Sequence, residues 1–294
     1  MADVRSFHPD PTWTSARANA LKGQRRTSIA VCLPCRDEAS TIGPLVDAIR
    51  RELVDEVPLI DELIVLDDGS GDDTAAVAAA AGAKVVAVAD VTAALDSMQG
   101  KGNVLWASLL ASEADLLVWC DADLTSFEPS WIVRLVMPLL LEPAVGLVKA
   151  DYVRPDDRGG GGRTTELAAR PMLSLFFPEF ATLAQPLGGE VAGRRAILES
   201  VPFVTGWGVE VGLLIDVRRA HGLDAIAQVD LGVRHHRHRP LAELAVQAAE
   251  VTATLLLRAG IEVPVPPGGR VLRRPNGEVV VLNLGERPAV ASLR

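Results

Sequence analysis

The stretch ADLLVWCDAD, residues 114–123, decides the fold. Residues 115–120 form an apolar run that is typical of a central strand buried on both faces. The run ends directly at Asp121-Ala122-Asp123, so two carboxylates follow a buried strand. Buried strands of this kind belong to sheets covered by helices, and the flanking sequence should therefore contain further strands and helices.

The sequence before this stretch alternates between strand and helix patterns. Each strand is a short β-rich run, and each helix shows apolar residues at helical spacing or an alanine-rich composition. The predicted strands are residues 28–33, 62–66 and 84–89, and the predicted helices are about 42–53, 72–81 and 103–112. This alternation predicts an α/β fold with a mostly parallel, doubly wound sheet.

Three polar loops follow strands of this predicted sheet, at residues 34–38, 67–70 and 121–123. Open α/β sheets bind ligands in the crevice beyond the carboxyl ends of their strands. The three loops should therefore converge on one binding site.

The second half of the chain is less regular and is predicted to form a smaller acceptor-binding lobe. Its predicted strands are about 146–151 and 225–233, its helices about 165–177, 209–220 and 241–259, and a hairpin at 270–282 turns at Asn276-Gly277. We divide the chain into an N-terminal extension (1–27), a nucleotide-sugar-binding half (28–150), an acceptor-binding half (151–260) and a C-terminal tail (261–294).

Composition excludes several classes of protein. With 29 basic and 38 acidic residues in 294, the formal net charge is −9, which argues against nucleic acid or an anionic membrane as partner. No apolar run approaches the roughly 20 residues of a membrane span, and residues 1–10 lack a signal-peptide layout, so we expect a cytoplasmic protein.

The three cysteines, Cys32, Cys35 and Cys120, are expected to be thiols.

Two motifs favour the chemistry of a nucleotide diphosphate. The Asp121 and Asp123 carboxylates suit a hard divalent cation, Mg²⁺ or Mn²⁺, which often shares its ligands with substrate phosphates. Gly100-Lys101-Gly102 precedes a predicted helix and offers a cation to a phosphate, although by itself it is more typical of a flexible turn with a solvated lysine.

Two further motifs could bind anions or complete a metal site. Four glycines at 159–162 lead into Arg163 and a predicted helix, an arrangement that can hold a phosphate or carboxylate but is also typical of a linker. The run RHHRHR at 234–239 could place His236 on the same face of a strand as Arg234 and His238, and a neutral imidazole can complete a metal shell; a solvated basic turn is the alternative.

Taken together, the motifs of the chain resemble the glucosyl-3-phosphoglycerate synthases, retaining glycosyltransferases of family 81. The runs that carry the resemblance, in order between about residues 28 and 260, are LDDGS (66–70), GKG (100–102), DAD (121–123), GGRTTE (161–166), QPLGGE (185–190), GWGVE (206–210) and DAIAQVDLGVR (224–234). The resemblance implies a GT-A fold, a homodimer, and transfer of glucose from UDP-glucose to the 2-hydroxyl of 3-phosphoglycerate, giving a precursor of glucosylglycerate or methylglucose lipopolysaccharide.

The resemblance also implies roles for individual residues. The donor-binding residues would be Pro34, Cys35, Arg36, Glu38, Asp68, Lys101, Asp121, Ala122, Asp123 and Glu190. The acceptor-binding residues would be Gly162, Arg163, Thr165, Trp207, Arg234 and His238. Asp123 and His236 would hold Mg²⁺ or Mn²⁺, and Lys101, Asp123 and Glu210 would be the catalytic residues.

The chain departs from the pattern of these enzymes at four positions. Ala122 and Asp68 stand where serine is usual, Trp207 where tyrosine is usual, and His238 where asparagine is usual. The last two border the acceptor, and the loop at 156–162 is shorter than usual, so the resemblance says least about the acceptor and the donor sugar. A mannosyl-3-phosphoglycerate synthase, which uses GDP-mannose and shares this architecture, stays open. So does a protein that binds a nucleotide sugar without turnover.

Two other rivals are less consistent with the sequence. A sugar-nucleotide pyrophosphorylase would need a glycine-rich basic loop after the first strand, whereas residues 35–38 read CRDE. A membrane-bound polyprenyl-phosphate glycosyltransferase would need an anchor.

Retention at the anomeric carbon could use a carboxylate nucleophile or same-face attack, and the sequence does not choose between these two mechanisms.

Overall fold

The computed structural model describes residues 3–124, 126–154, 162–234, 240–267 and 269–294. Its strands are β1 (Arg5–Phe7), β2 (Ile29–Cys35), β3 (Glu62–Asp67), β4 (Lys84–Ala87), β5 (Leu116–Trp119), β6 (Leu147–Val153), β7 (Val191–Arg194), β8 (Phe203–Val204), β9 (Ile226–Val233), β10 (Val271–Arg273), β11 (Val279–Val281) and β12 (Glu286–Arg287). Its α-helices are α1 (Ser15–Arg25), α2 (Ala39–Arg50), α3 (Thr74–Ala80), α4 (Val88–Val91), α5 (Lys101–Ala111), α6 (Ser130–Leu141), α7 (Arg170–Phe176), α8 (Arg195–Leu198), α9 (Val209–His221) and α10 (Leu241–Arg258).

Eight strands form one sheet in the order β1-β9-β6-β7-β5-β2-β3-β4. All neighbours are parallel except at β7, which pairs antiparallel with both β5 and β6. The predicted α/β class with a mostly parallel sheet is therefore confirmed. Strands from both halves of the chain enter this one sheet, and the division at residue 150 stays a prediction.

Two apolar cores cover the faces of the sheet. Alternate residues of β2 point to opposite sides, so that Val31 and Leu33 pack with α1, α2 and α6, whereas Ala30 and Cys32 pack with α5, α9 and α10. This burial on both faces explains why the strand sequences are almost continuously apolar.

The register of the parallel strands brings the polar loops together. Cys35 at the end of β2 pairs with Asp67 at the end of β3, and Cys32 pairs with Trp119 at the end of β5. The loops at 34–38, 67–70 and 121–123 thus leave the same edge of the sheet, as predicted.

Several elements were not predicted or begin elsewhere. The N-terminal segment contains β1, which pairs with β9 at the edge of the sheet, and α1, which packs on the core. The predicted helix at 165–177 starts as a π-helical turn at Thr165–Ala169, and the predicted strand 84–89 stops at Ala87 where α4 begins. The hairpin at 270–282 is confirmed, since β10 and β11 pair antiparallel.

None of the helices in the described ranges is long and apolar enough to cross a membrane.

Candidate active site

A cavity of about 410 Å³ opens at the carboxyl edge of the sheet. Its lining includes nine of the ten residues predicted to bind the donor: Pro34, Cys35, Arg36, Glu38, Asp68, Lys101, Asp121, Ala122 and Asp123. A volume of this size falls in the range of small-ligand and cofactor pockets. The remaining predicted donor residue, Glu190, is completely buried behind Asp121.

Lys101 lies at the centre of this site. It is the first residue of α5, and its Nζ lies 2.8 Å from Oδ1 of Asp121 and 2.8 Å from Oε1 of Glu210. Burial disfavours the charged ammonium, but the two carboxylates outweigh it and raise the pKa of Lys101 above its ordinary value. Lys101 therefore stays cationic at the wall of the cavity.

Asp121 is held between two cations. Its Oδ1 pairs with Lys101, and its Oδ2 accepts a hydrogen bond of 3.0 Å from Nη2 of Arg234. Gly189 packs directly against this carboxylate, since a Cβ at that position would lie 2.2 Å from Oδ1 of Asp121. Asp121 is thus a fixed structural charge of the site rather than a solvated side chain.

Arg234 links Asp121 to a second buried carboxylate. Its Nη2 lies 2.9 Å from Oε1 of Glu190, and both side chains of this pair are almost fully buried. Arg234 also lies over the ring of Tyr152, with its guanidinium carbon 5.2 Å from the ring centroid. The ion pairs consequently form one continuous chain, which contains Lys101, Asp121, Arg234 and Glu190.

Both aspartates of the 121–123 motif line the cavity. The Asp121 oxygens face Lys101 and Arg234, and Asp123 lies four residues beyond the end of β5. Oxygen ligands beside a diphosphate-sized cavity are the donor set that Mg²⁺ and Mn²⁺ prefer, so the residues present fit such an ion. Within the described part of the chain, no three His, Cys, Asp or Glu side chains are grouped to hold a metal.

Two of the predicted residues lie outside the described residues. They are His236, predicted as a metal ligand, and His238, predicted to bind the acceptor. Both stay predictions from the sequence.

Another part of the cavity wall is formed by the loops after β2 and β3. Nη1 of Arg36 lies 3.9 Å from Oδ2 of Asp68, and both residues line the cavity. The loop is fixed by the backbone N–H of Glu38, which donates to Oγ1 of Thr74 at 2.8 Å. Burial raises the pKa of Asp68, while the Arg36 charge acts in the opposite direction.

The predicted acceptor residues fall into two groups. Trp207 lines the cavity, and Arg234 contacts Asp121 beside it. Gly162, Arg163 and Thr165 do not line the cavity but lie at the start of the π-helical turn, where Thr165 is 3% exposed.

Tyr152 and Arg154 connect these two groups, and the sequence reasoning missed both. Nη2 of Arg154 donates to the hydroxyl of Tyr152 at 2.9 Å, and the Arg154 guanidinium carbon lies 5.3 Å from the centroid of the same ring. Arg154 also approaches Gly162, because a Cβ on Gly162 would lie 3.5 Å from its Nη1. The signal available in the sequence was the pair of residues at the end of a strand that leads into the glycine run.

Five other residues of the cavity wall were not predicted. They are Gln99, Val104, Gly206, Glu250 and Asn283. Glu250 lies in α10 and Asn283 in the C-terminal tail, both far along the chain from the motifs at the strand ends.

The expectation that the cysteines are thiols is confirmed, since Cys32, Cys35 and Cys120 are free and buried. Burial raises the pKa of the Cys32 thiol to about 12 and raises those of Cys35 and Cys120 as well. Neutral buried thiols are poor nucleophiles and poor metal ligands.

Comparison with known proteins identifies the class. The sequence profile of glycosyl transferase family 2 matches residues 30–202, the part of the chain that contains β2 to β7 and most of the cavity wall. The sheet, the cavity at its carboxyl edge and this match define a glycosyltransferase with a GT-A fold.

Relatives with established names narrow the class further. The chain is 46% identical to glucosyl-3-phosphoglycerate synthase of Mycolicibacterium paratuberculosis over 97% of this chain and 89% of that one. It is 42% identical to the enzyme of the same name from Petrotoga mobilis over 86% of this chain and 80% of that one. The chain belongs to the glucosyl-3-phosphoglycerate synthase family.

Solved structures of the Mycobacterium tuberculosis enzyme have the same fold. One, in complex with Mn²⁺, UDP-glucose and phosphoglyceric acid, matches with a TM-score of 0.90 and 43% identity, covering 100% of both chains. Another, in complex with Mn²⁺, UDP and glucosyl-3-phosphoglycerate, matches with a TM-score of 0.89 and 42% identity, covering 99% of this chain and 100% of that one.

Proposed function

We propose that this enzyme transfers glucose from UDP-glucose to the 2-hydroxyl of 3-phosphoglycerate with retention at the anomeric carbon. The observation that carries the proposal is the buried ion-pair chain of Lys101, Asp121 and Arg234 along a cavity that Asp123 also lines. This arrangement holds the cationic groups of Lys101 and Arg234 in fixed positions beside the cavity, where a nucleotide diphosphate would develop negative charge. The complexes of the M. tuberculosis enzyme with UDP-glucose and phosphoglyceric acid support the choice of both substrates.

The residues of this chain would act mainly on the leaving group. Lys101 is pre-oriented by Asp121 and Glu210, so its charge needs little reorganisation as the glycosidic bond breaks. Asp123, with His236 as the second predicted ligand, would hold Mg²⁺ or Mn²⁺. The bound ion would neutralise charge on the diphosphate.

The acceptor would be held by the basic residues beyond the cavity. We assign Arg234, Arg163, Gly162 and Thr165 to its phosphate and carboxylate, and Trp207 and His238 to its border. The burial of Arg234 supports this assignment, because a guanidinium in a dry site forms strong hydrogen bonds of defined geometry with carboxylate and phosphate oxygens.

Glu210 is the second carboxylate that contacts Lys101, and it does not itself line the donor cavity. It is the second residue of α9, it is 5% exposed, and Lys101 holds it in place. We assign it a role in positioning sugar or acceptor hydroxyls, as we do for Glu190. Retention by a carboxylate nucleophile and retention by same-face attack are both compatible with this geometry.

The names of the relatives agree on glucose transfer. They do not favour the use of GDP-mannose or the binding of a nucleotide sugar without turnover. The test compares UDP-glucose with GDP-mannose on 3-phosphoglycerate, each with Mg²⁺ and with a chelator. We expect metal-dependent transfer from UDP-glucose. Transfer from GDP-mannose alone would contradict the donor assignment, and UDP binding without transfer from either donor would contradict the activity.

The assembly, location and pathway of the enzyme are also proposals. We propose a cytoplasmic homodimer whose product is a precursor of glucosylglycerate or methylglucose lipopolysaccharide. The absence of a membrane-spanning helix from the described residues is compatible with this location. Light scattering of the purified protein tests the dimer, and a monomeric mass would contradict it.

A further inference from the structure

The end of the chain forms part of the wall of the donor cavity. Asn283 lines the cavity, and three residues later β12 pairs antiparallel with β8. Arg287 is 2% exposed, and its Nε donates to Oδ1 of Asn103 in α5 at 2.8 Å. The tail is therefore attached to the helix that begins with Lys101.

The side chain of Asn283 connects two loops of the cavity wall. Its Nδ2 donates to the backbone carbonyl of Gln99 at 2.5 Å, and its Oδ1 accepts from Oγ1 of Thr205 at 2.7 Å. The contact with the first loop is close, because a Cβ on Gly100 would lie 2.6 Å from Nδ2 of Asn283. Gly100 also has a φ of +105°, which favours glycine.

Each of these loops leads into a helix whose first turn carries a charged residue of the site. The Gln99 loop leads into α5 and Lys101, and the Thr205 loop leads into α9 and Glu210. The distance between the loops therefore sets the relative positions of the Lys101 and Glu210 side chains.

Glu250 supports the same connection from α10. It is 3% exposed, and its Oε1 accepts from the backbone N–H of Asn283 at 2.8 Å. Its Oε2 accepts from the backbone N–H of Trp207, also at 2.8 Å. A buried carboxylate thus uses both oxygens to join the tail to the Trp207 loop.

We propose that Asn283 and Glu250 are positioning residues that fix the spacing of the two loops and thereby set the affinity of the cavity for the nucleoside diphosphate of the donor. The identity of the nucleotide, UDP, rests on the proposed function. The two side chains act through the Gln99 and Trp207 backbones and through Lys101, and they need not touch the reacting atoms. The C-terminal tail is then a component of the donor site.

The test measures UDP binding by calorimetry in the presence of Mn²⁺, and KM and kcat with UDP-glucose, for Asn283→Ala and Glu250→Gln. Glu250→Gln keeps the shape of the side chain but places an amide NH2 against one of the two backbone N–H groups. Asn276→Ala is the matched control, because Asn276 is an exposed residue of the hairpin turn.

We expect both variants to bind UDP about tenfold more weakly, as the loss of one or two hydrogen bonds implies, with a binding stoichiometry close to that of the wild type. KM for UDP-glucose should rise in parallel, and Asn276→Ala should change neither constant. If Asn283→Ala does not fold, Glu250→Gln decides the question.

A merely structural role would give a different pattern. It would lower the melting temperature and the binding stoichiometry while leaving Kd and KM at their wild-type values, and that pattern in both variants would overturn the inference. A wild-type protein that binds UDP without transferring glucose would contradict only the proposed function. If the wild-type protein transfers glucose and both variants bind UDP with an unchanged Kd, only this inference is contradicted.

Discussion

The ammonium group of Lys101 lies 2.8 Å from a carboxylate oxygen of Asp121, at the wall of the cavity and beside the carboxyl end of the central strand. The same ammonium reaches Glu210 at 2.8 Å, so one cation organises two carboxylates from separate elements. These three groups are therefore held by one another before any substrate binds.

Replacing Lys101 with Met should reduce kcat by about a hundredfold or more, because a preorganised charge aimed at the leaving group is lost. Lys84→Met is the control, since Lys84 is an exposed residue of β4. Steady-state kinetics with UDP-glucose make the comparison. A Lys101→Met enzyme with nearly wild-type kcat would exclude Lys101 from leaving-group stabilisation.

Replacing Asp123 with Ala should abolish turnover and its dependence on the metal together. Asp123 lines the cavity at the end of the 121–123 motif, and we expect its carboxylate to be a ligand of Mg²⁺ or Mn²⁺. Electron paramagnetic resonance measures Mn²⁺ binding in the presence of UDP independently of activity. Asp90→Ala, at an exposed residue of α4, provides the control. Metal-dependent activity retained by Asp123→Ala would refute the assignment.

The ion pair of Arg234 and Glu190 should be essential for stability. Both side chains are almost fully buried, with 5% and 0% of their surface exposed. Arg234→Met would leave Glu190 as an unpaired buried charge, which costs about 3–5 kcal/mol of the free energy of unfolding. Urea denaturation should show part of that loss restored in the double variant Arg234→Met, Glu190→Gln.

Arg51→Met is the control for this pair, because the Arg51–Glu52 pair is exposed and should contribute less than about 1 kcal/mol. Equal losses for Arg234→Met and Arg51→Met would contradict the proposed importance of the buried pair.

The buried Lys149 should make stability depend on pH. Burial lowers the pKa of Lys149 from 10.5 to about 8. Between these values the unfolded chain keeps a proton that the native chain has lost, so this residue makes the free energy of unfolding rise with pH. Relative to Lys149→Met, the wild type should gain stability from about pH 8 to pH 10.5 and show a constant difference below pH 8.

Urea denaturation of both proteins across this range provides the measurement. The two proteins share all other titrating groups. The contributions of those groups therefore cancel in the difference between the two free energies of unfolding. A difference in the free energy of unfolding that stays the same at every pH would show that Lys149 keeps its ordinary pKa in the native protein.

The sequence was sufficient to predict that the three polar loops line one cavity, because their convergence depends on local signals. Parallel strands end at one edge of a sheet, so polar residues after β2, β3 and β5 must meet there. The structure accordingly brings Arg36, Asp68, Lys101 and Asp121 around one cavity.

Other parts of the structure could not be predicted in this way because they depend on contacts between distant residues. Asn283 lines the cavity and donates a hydrogen bond to Gln99, 184 positions earlier, and no local pattern marks such a contact. Strand β7 is only four residues long, and its antiparallel pairing with β5 and β6 is a matter of tertiary packing. Helix α6 was missed because its residues are almost continuously apolar, so they also fit a buried strand, and because Pro138 lies inside it.

The most direct test of the central claim is the structure of the product formed from UDP-glucose, labelled with ¹³C in the sugar, and 3-phosphoglycerate in the presence of Mg²⁺. Nuclear magnetic resonance should show an α-linked anomeric carbon correlated with carbon 2 of the glycerate, because the account predicts retention and transfer to the 2-hydroxyl. A β-linked product, a sugar attached at another position, or release of free glucose alone would contradict it.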